Sequence, residues 1–159
     1  MKILLATDGS EHSNAAVEEV ANRQLPTGSE VRIISVVDKV ALASYAGSSA
    51  VVNDFYIQAG RHALKVAADA IEYASKLLQE KNDSVLLTTA VIDGSPKTAI
   101  LEEAERYGAD LIVVGSNGHG DKDVGHFMLG SVSHAVSLYA KSSVEIVRAQ
   151  NKQSIIAKL

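Results

Sequence analysis

The sequence predicts an α/β fold of three layers, with an open, mainly parallel sheet of Rossmann-like type covered by helices on both faces. Three observations predict it. Short runs rich in Val, Ile and Leu alternate along the chain with longer stretches whose apolar residues recur every three or four positions. The intervening helical stretches are long enough for right-handed crossovers that return each strand parallel to the one before. Of the 159 residues, 47% are hydrophobic but only 4% aromatic, with no Trp, so the core is packed from Val, Ile, Leu and Ala.

Residues 3–7 read as the first strand, buried throughout, and Asp8-Gly9-Ser10 as the turn that leaves it. Ser13 is the favoured N-cap of the first helix, with Ser10 the alternative, and Ala15, Val17, Val20 and Ala21 form its apolar stripe. Leu25-Pro26-Thr27-Gly28 stops that helix, and residues 30–37 form the second strand. Residues 38–53, with Gly47-Ser48-Ser49, carry no decided pattern. Residues 56–80 read as one long helix, in which Ala63, Val66, Ala67, Ala70, Ile71, Ala74, Leu77 and Leu78 keep the helical period until Asn82-Asp83. The third strand is 85–91. Asp93-Gly94-Ser95-Pro96 then opens a helix with Pro in its first turn, its inward face formed by Ile100, Leu101, Ala104 and Tyr107 as far as Gly108. Residues 111–114, 131–139 and 144–147 complete the pattern as strand, helix and strand. The expected organisation is one domain over 1–149, with residues 150–159 as a tail carrying Ile155, Ile156 and Leu159.

The formal net charge of −4 argues against a nucleic-acid backbone or an anionic membrane as the main partner. Absence of Cys excludes disulfides, thiolate metal sites and thiol nucleophiles. The opening apolar run is too short for a signal peptide, and no segment nears the roughly 18 apolar residues of a membrane span, so cytoplasm is the expected compartment.

The chemistry concentrates where the fourth strand runs into Gly115-Ser116-Asn117-Gly118-His119-Gly120 and where Gly130-Ser131 opens the next helix. In open parallel sheets ligands bind beyond the carboxyl ends of the strands, and unobstructed amides at a helix start attract phosphate. The pattern therefore points to a nucleotide or a similar anion. Gly115 is expected to turn the chain off the strand, and Gly118 and Gly120 to take positive φ and let backbone approach a ligand. Asp8 either accepts from a ribose hydroxyl or caps the first helix. Neither a GxGxxG fingerprint nor a GxxxxGK[ST] loop is present.

His119, His126 and His134, with Asp121 and Asp123 among them, match no standard zinc spacing, and no metal site is assigned. The loop aspartates can instead meet phosphates through magnesium, and Lys122 can offset phosphate charge. No Ser lies in a GxSxG elbow, and Asp8, Asp121 and His119, the candidate bases, have no evident partner, so no catalytic residue is assigned.

Residues 2–149 resemble the universal stress protein family. The likeness is carried by Ile3-Leu4-Leu5-Ala6-Thr7-Asp8-Gly9-Ser10, by Ile112-Val113-Val114-Gly115-Ser116-Asn117-Gly118 and by Leu129-Gly130-Ser131-Val132. It implies five strands in the order 3-2-1-4-5, an adenine nucleotide alpha hydrolase-like fold, and a cytoplasmic homodimer paired through the last strand. One branch of the family binds ATP or AMP; another has lost the glycine signature. The resemblance implies that Asp8, with Ala6 and Thr7, approaches ribose or phosphates, and that the Val36 backbone meets the adenine edge. It places Val114, Gly115 and Gly118 around ribose and phosphates, and Gly130, Ser131 and Val132 on the phosphate chain. The implied function is a stress-response sensor or protective factor that binds ATP or AMP, with magnesium accompanying ATP, and without fast catalysis. The alternatives are an interaction protein that binds no nucleotide and a slow ATPase. Eleven residues separate Gly118 from Gly130 where the family has nine, and Ser143 stands where Pro is common.

Overall fold

The computed structural model of the chain describes residues 1–38, 50–118 and 128–149. The chain runs β1 (Lys2–Ala6), α1 (Glu11–Asn22), β2 (Glu30–Val37), α2 (Ala50–Lys81), β3 (Leu86–Asp93), α3 (Pro96–Tyr107), β4 (Leu111–Gly115), α4 (Ser131–Tyr139) and β5 (Ser143–Val147). All pairings are parallel and the sheet order is β3-β2-β1-β4-β5. The three-layer fold expected from the sequence is the one observed.

Side-chain alternation divides the core between the two faces of the sheet. Ile3, Leu5, Val31, Ile33 and Val113 pack with Val17 and Val20 of α1 and with Ala74 and Leu78 of α2. Leu4, Ala6, Ile34, Ile112 and Val114 pack with Ile100 and Ala104 of α3 and with Val136 of α4. The central strands are buried on both sides, so they read as continuous apolar runs. Each fully buried Ile or Leu contributes about 2 kcal/mol.

The long helix begins at Ala50 rather than at residue 56, and β3 runs to Asp93 rather than ending at residue 91. Three further local readings change. Ser10, not Ser13, caps α1, accepting from the Ser13 amide. Gly9 takes φ +78, which folds the turn tightly enough for the helix to begin at Glu11, and Ser13 is left buried in the first turn with its hydroxyl on the Ser10 carbonyl. The buried stripe of α1 uses Ala16 rather than Ala15. In α3 the inward positions are Ala99, Ile100, Glu103 and Ala104, while Leu101 and Tyr107 are only partly buried. Glu103 is 4% exposed because Arg32 of β2 and Arg106 both donate to its carboxylate. The tail 150–159 lies outside the described residues. Among the described residues, no helix is long and apolar enough to cross a membrane.

Candidate functional site

From β1 the chain winds outward through α1 to β2 and β3, then returns through α3 to β4 on the other side of β1. The direction of winding reverses between β1 and β4, and at such a point the loops leaving two neighbouring strands part to open a crevice. A cavity of about 340 Å³ occupies that position, within the roughly 300–1,000 Å³ usual for small-ligand sites.

The ten nucleotide-binding residues that the family resemblance implies all line this cavity: Ala6, Thr7, Asp8, Val36, Val114, Gly115, Gly118, Gly130, Ser131 and Val132. Sequence reasoning missed Ile34, Pro96 and Ile100, which form an apolar floor, and Ser13, Ser116, Asn117 and Ser133, which line the polar side. Ile34 and Ile100 carry no signal that separates them from ordinary core, and Pro96 is explained by its place at the start of α3. His119, Asp121, Lys122, Asp123 and His126, with Gly120, lie outside the described residues. His134 is described; its amide donates to the Gly130 carbonyl as α4 begins, and its side chain is not among those lining the cavity. Among the described residues, no group of three or more His, Asp or Glu is placed to hold a metal ion.

The turn after β1 is built from short local bonds. The Asp8 Oδ1 accepts the Ser10 amide at 3.0 Å, Thr7 Oγ1 accepts the Gly9 amide at 3.2 Å, and the Ser10 hydroxyl reaches the Asn117 carbonyl at 3.4 Å. Asp8 thus orients the turn while Ser10 caps the helix, and the β1 and β4 loops are tied together.

The two loop glycines have steric roles. A Cβ on Gly115 would lie 2.6 Å from the His12 carbonyl carbon and from the Ser13 nitrogen, so this glycine lets β4 pack against the backbone of α1. A Cβ on Gly118 would lie 2.7 Å from Asp8 Oδ2. Gly118 does not have the positive φ expected of it; positive φ falls at Gly9, Gly28, Gly94 and Gly108 among the described residues. Glycine at 118 lets the Asp8 carboxylate lie close against this backbone.

Ser116 joins the loop to α4. Its carbonyl accepts from the Gly130 amide at 2.8 Å and from the Ser133 hydroxyl at 2.6 Å, which brings the start of α4 to the cavity wall. Gly130 is the N-cap, and the first amide bonded back within the helix is that of His134. The amides of Ser131, Val132 and Ser133 therefore have no partner within the helix, and they lie at the positive end of its dipole. Along β2, Ile34 accepts from Thr7 on the β1 side and Val37 from Gly94 on the β3 side. By this alternation the Val36 amide and carbonyl turn toward the β1 side, beyond where β1 ends at Ala6.

The sequence model of the Universal stress protein family matches residues 1–148. Universal stress protein YxiE of Bacillus subtilis is 34% identical over 150 residues, covering 92% of this chain and 98% of the relative. Universal stress protein MJ0577 of Methanocaldococcus jannaschii is 27% identical over 159 residues, covering 94% of this chain and 96% of the relative. The solved structure of MJ0577 has a TM-score of 0.76 at 26% identity, covering 95% and 97% of the two chains. A universal stress protein family protein from Arabidopsis thaliana with AMP bound has a TM-score of 0.65 at 19% identity, covering 97% and 94%, a likeness of fold. The family match spans the Asp8 turn and both glycine-bearing loops that meet around the crevice, and the chain belongs to the universal stress protein family.

Proposed function

We propose that the cavity binds an adenine nucleotide, ATP or AMP, and that the protein is a stress-response sensor or protective factor working by binding rather than rapid catalysis. The observation that carries this reading is that the Asp8 carboxylate and the first residues of α4, whose amides have no partner within the helix, line one crevice with an apolar floor of Ile34, Pro96, Ile100 and Val114. The floor suits a flat heterocycle, whose hydrogen-bonding edge would meet the outward amide and carbonyl of Val36. Asp8 accepts from ribose hydroxyls. Phosphates occupy the α4 start, where the amides of Ser131, Val132 and Ser133 and the Ser131 hydroxyl supply donors. Among the described lining residues Asp8 is the one carboxylate, so magnesium accompanying ATP would be held chiefly by phosphate oxygens and water. The AMP described for the Arabidopsis relative of similar fold supports the same ligand class.

A ligand that binds the native state raises the unfolding temperature. Thermal unfolding of nucleotide-stripped protein should shift upward by several degrees with saturating AMP or ATP. No shift with either contradicts the reading. Turnover of ATP at roughly one per second or faster, the lower end of ordinary enzyme rates, contradicts the non-catalytic part.

The reading includes a homodimer through β5. The Val147 carbonyl accepts the Ser116 amide from the β4 side, so by alternation Val144 and Ile146 turn their amides and carbonyls toward the open edge. Glu145, the one charge on this strand, is drawn to the α1 face, where Arg23 donates to it at 2.7 Å. That bond raises the Arg23 pKa against the opposing effect of burial. Leu138 and Tyr139, close to β5 in the chain, are exposed. An edge with its charge turned aside invites pairing with a second copy about a two-fold axis.

A further inference from the structure

We propose that His12 is a positioning residue that couples occupancy of the cavity to the chain leaving β5; the proposal rests on the nucleotide-binding reading above. His12 lies in the first turn of α1 and is not itself among the residues lining the cavity. Its Nδ1 accepts the Ala149 amide at 2.9 Å, so that nitrogen carries no proton. The Ser116 hydroxyl, 3.2 Å from the same nitrogen, is then the donor in that contact.

Ser116 is fully buried and bonded in every direction. Its amide donates to Val147 of β5, its hydroxyl to His12, and its carbonyl accepts from Gly130 and Ser133 at the start of α4. A closed circuit results, from His12 to Ser116, to Val147 at the end of β5, along the chain to Ala149, and back to the same imidazole nitrogen. Gly115 keeps the circuit compact, because any side chain there would strike the His12 backbone. A ligand that draws the Gly118 loop and the α4 start together acts on Ser116 first, and Ser116 is held by the imidazole that also holds Ala149. By linkage, tightening at one end stabilises the other.

The test combines AMP titration with amide hydrogen exchange on the full chain. In the wild type, AMP should slow exchange at Ala149 as well as at Gly130. His12→Ala should weaken AMP binding about tenfold, speed exchange at Gly130 and Ala149 in the free protein, and abolish the AMP response at Ala149. Asn places an acceptor oxygen near the Nδ1 position, so His12→Asn should restore affinity to within about threefold. His12→Gln carries its amide one bond further out and should not. That pair decides the matter should His12→Ala fail to fold. Wild-type affinity in His12→Ala, or equal behaviour of the Asn and Gln variants, overturns the proposal, as does an Ala149 amide indifferent to AMP while AMP binds. Absence of AMP binding by the wild type removes the nucleotide reading and the coupling together. Unchanged Gly130 exchange in free His12→Ala removes the positioning role alone.

Discussion

Gly118 approaches the Asp8 side chain so closely that a Cβ added to it would stand 2.7 Å from Oδ2. The two residues come from loops that leave neighbouring strands, and the Ser10 hydroxyl on the Asn117 carbonyl holds those loops together. This contact defines the polar wall of the crevice.

Gly118→Ala should therefore act on the ligand rather than on the fold. The atom it strikes is the end of a flexible side chain, so Asp8 can rotate away, abandoning its bond to the Ser10 amide. Stability should fall by about 1.5 kcal/mol, the lower end for a hydrogen bond to a charged group, because the turn is only partly buried. Adenine-nucleotide affinity should fall about tenfold. Urea unfolding and a binding titration on the same sample separate the two effects.

Gly115→Ala should behave in the opposite way. Its Cβ would meet helix backbone at 2.6 Å, and backbone cannot rotate aside. Overpacking of this kind costs about 1–3 kcal/mol, and here the upper end applies. A lowered urea midpoint with an unchanged m-value is the expected signature.

At the phosphate end, Ser131→Ala should weaken nucleotide binding by about 1.5–3 kcal/mol, the scale of a hydrogen bond to a charged group. Gly130→Val should weaken it further while the protein stays folded. Gly130 has φ −64 and ψ 160, which a β-branched residue adopts without strain, but the new side chain would crowd the cavity wall from which the α4 amides reach. Equal affinities in Gly130→Val and wild type would place the phosphates elsewhere.

Much of the fold is legible in the chain because the buried strands read as short apolar runs between helices that keep the helical period, and residues 30–37 and 131–139 have the same bounds in the sequence reading and in the structure. Glu103 was not legible. It stands among Glu102, Glu105 and Arg106 and reads as part of a solvated face, and the Arg32 that justifies its burial is 71 residues away. Glu103→Ala should cost about 3 kcal/mol by leaving Arg32 without its partner; chemical denaturation measures it. The polar half of the site was legible through its glycines and Asp8, whereas the floor residues look like any core. Ser10 and Ser13 are equally good caps by residue type, and only the positive φ of Gly9 decides between them.

Dimerisation is best tested through the outward amide of Val144. Ile146→Lys is compromised because it would set a charge on the core face beneath α3 and α4, where Val144 and Ile146 both pack, whereas proline at 144 keeps an apolar side chain there. Val144→Pro removes an edge donor and leaves the bonds to β4 in place, and edge strands tolerate proline there. Light scattering should give a dimer mass for the wild type and a monomer mass for the variant. A monomeric wild type at all concentrations contradicts the edge pairing.

The central claim is that the crevice between β1 and β4 holds an adenine nucleotide. Isothermal titration of nucleotide-stripped protein with AMP, ATP and GTP tests it most directly. The expected result is one site per chain, measurable heat with AMP or ATP, and weaker binding of GTP, whose ring edge presents a different donor and acceptor order to Val36. No heat with either adenine nucleotide at protein concentrations of tens of micromolar, enough to reveal a Kd of about 1 μM, near −8 kcal/mol, would contradict it.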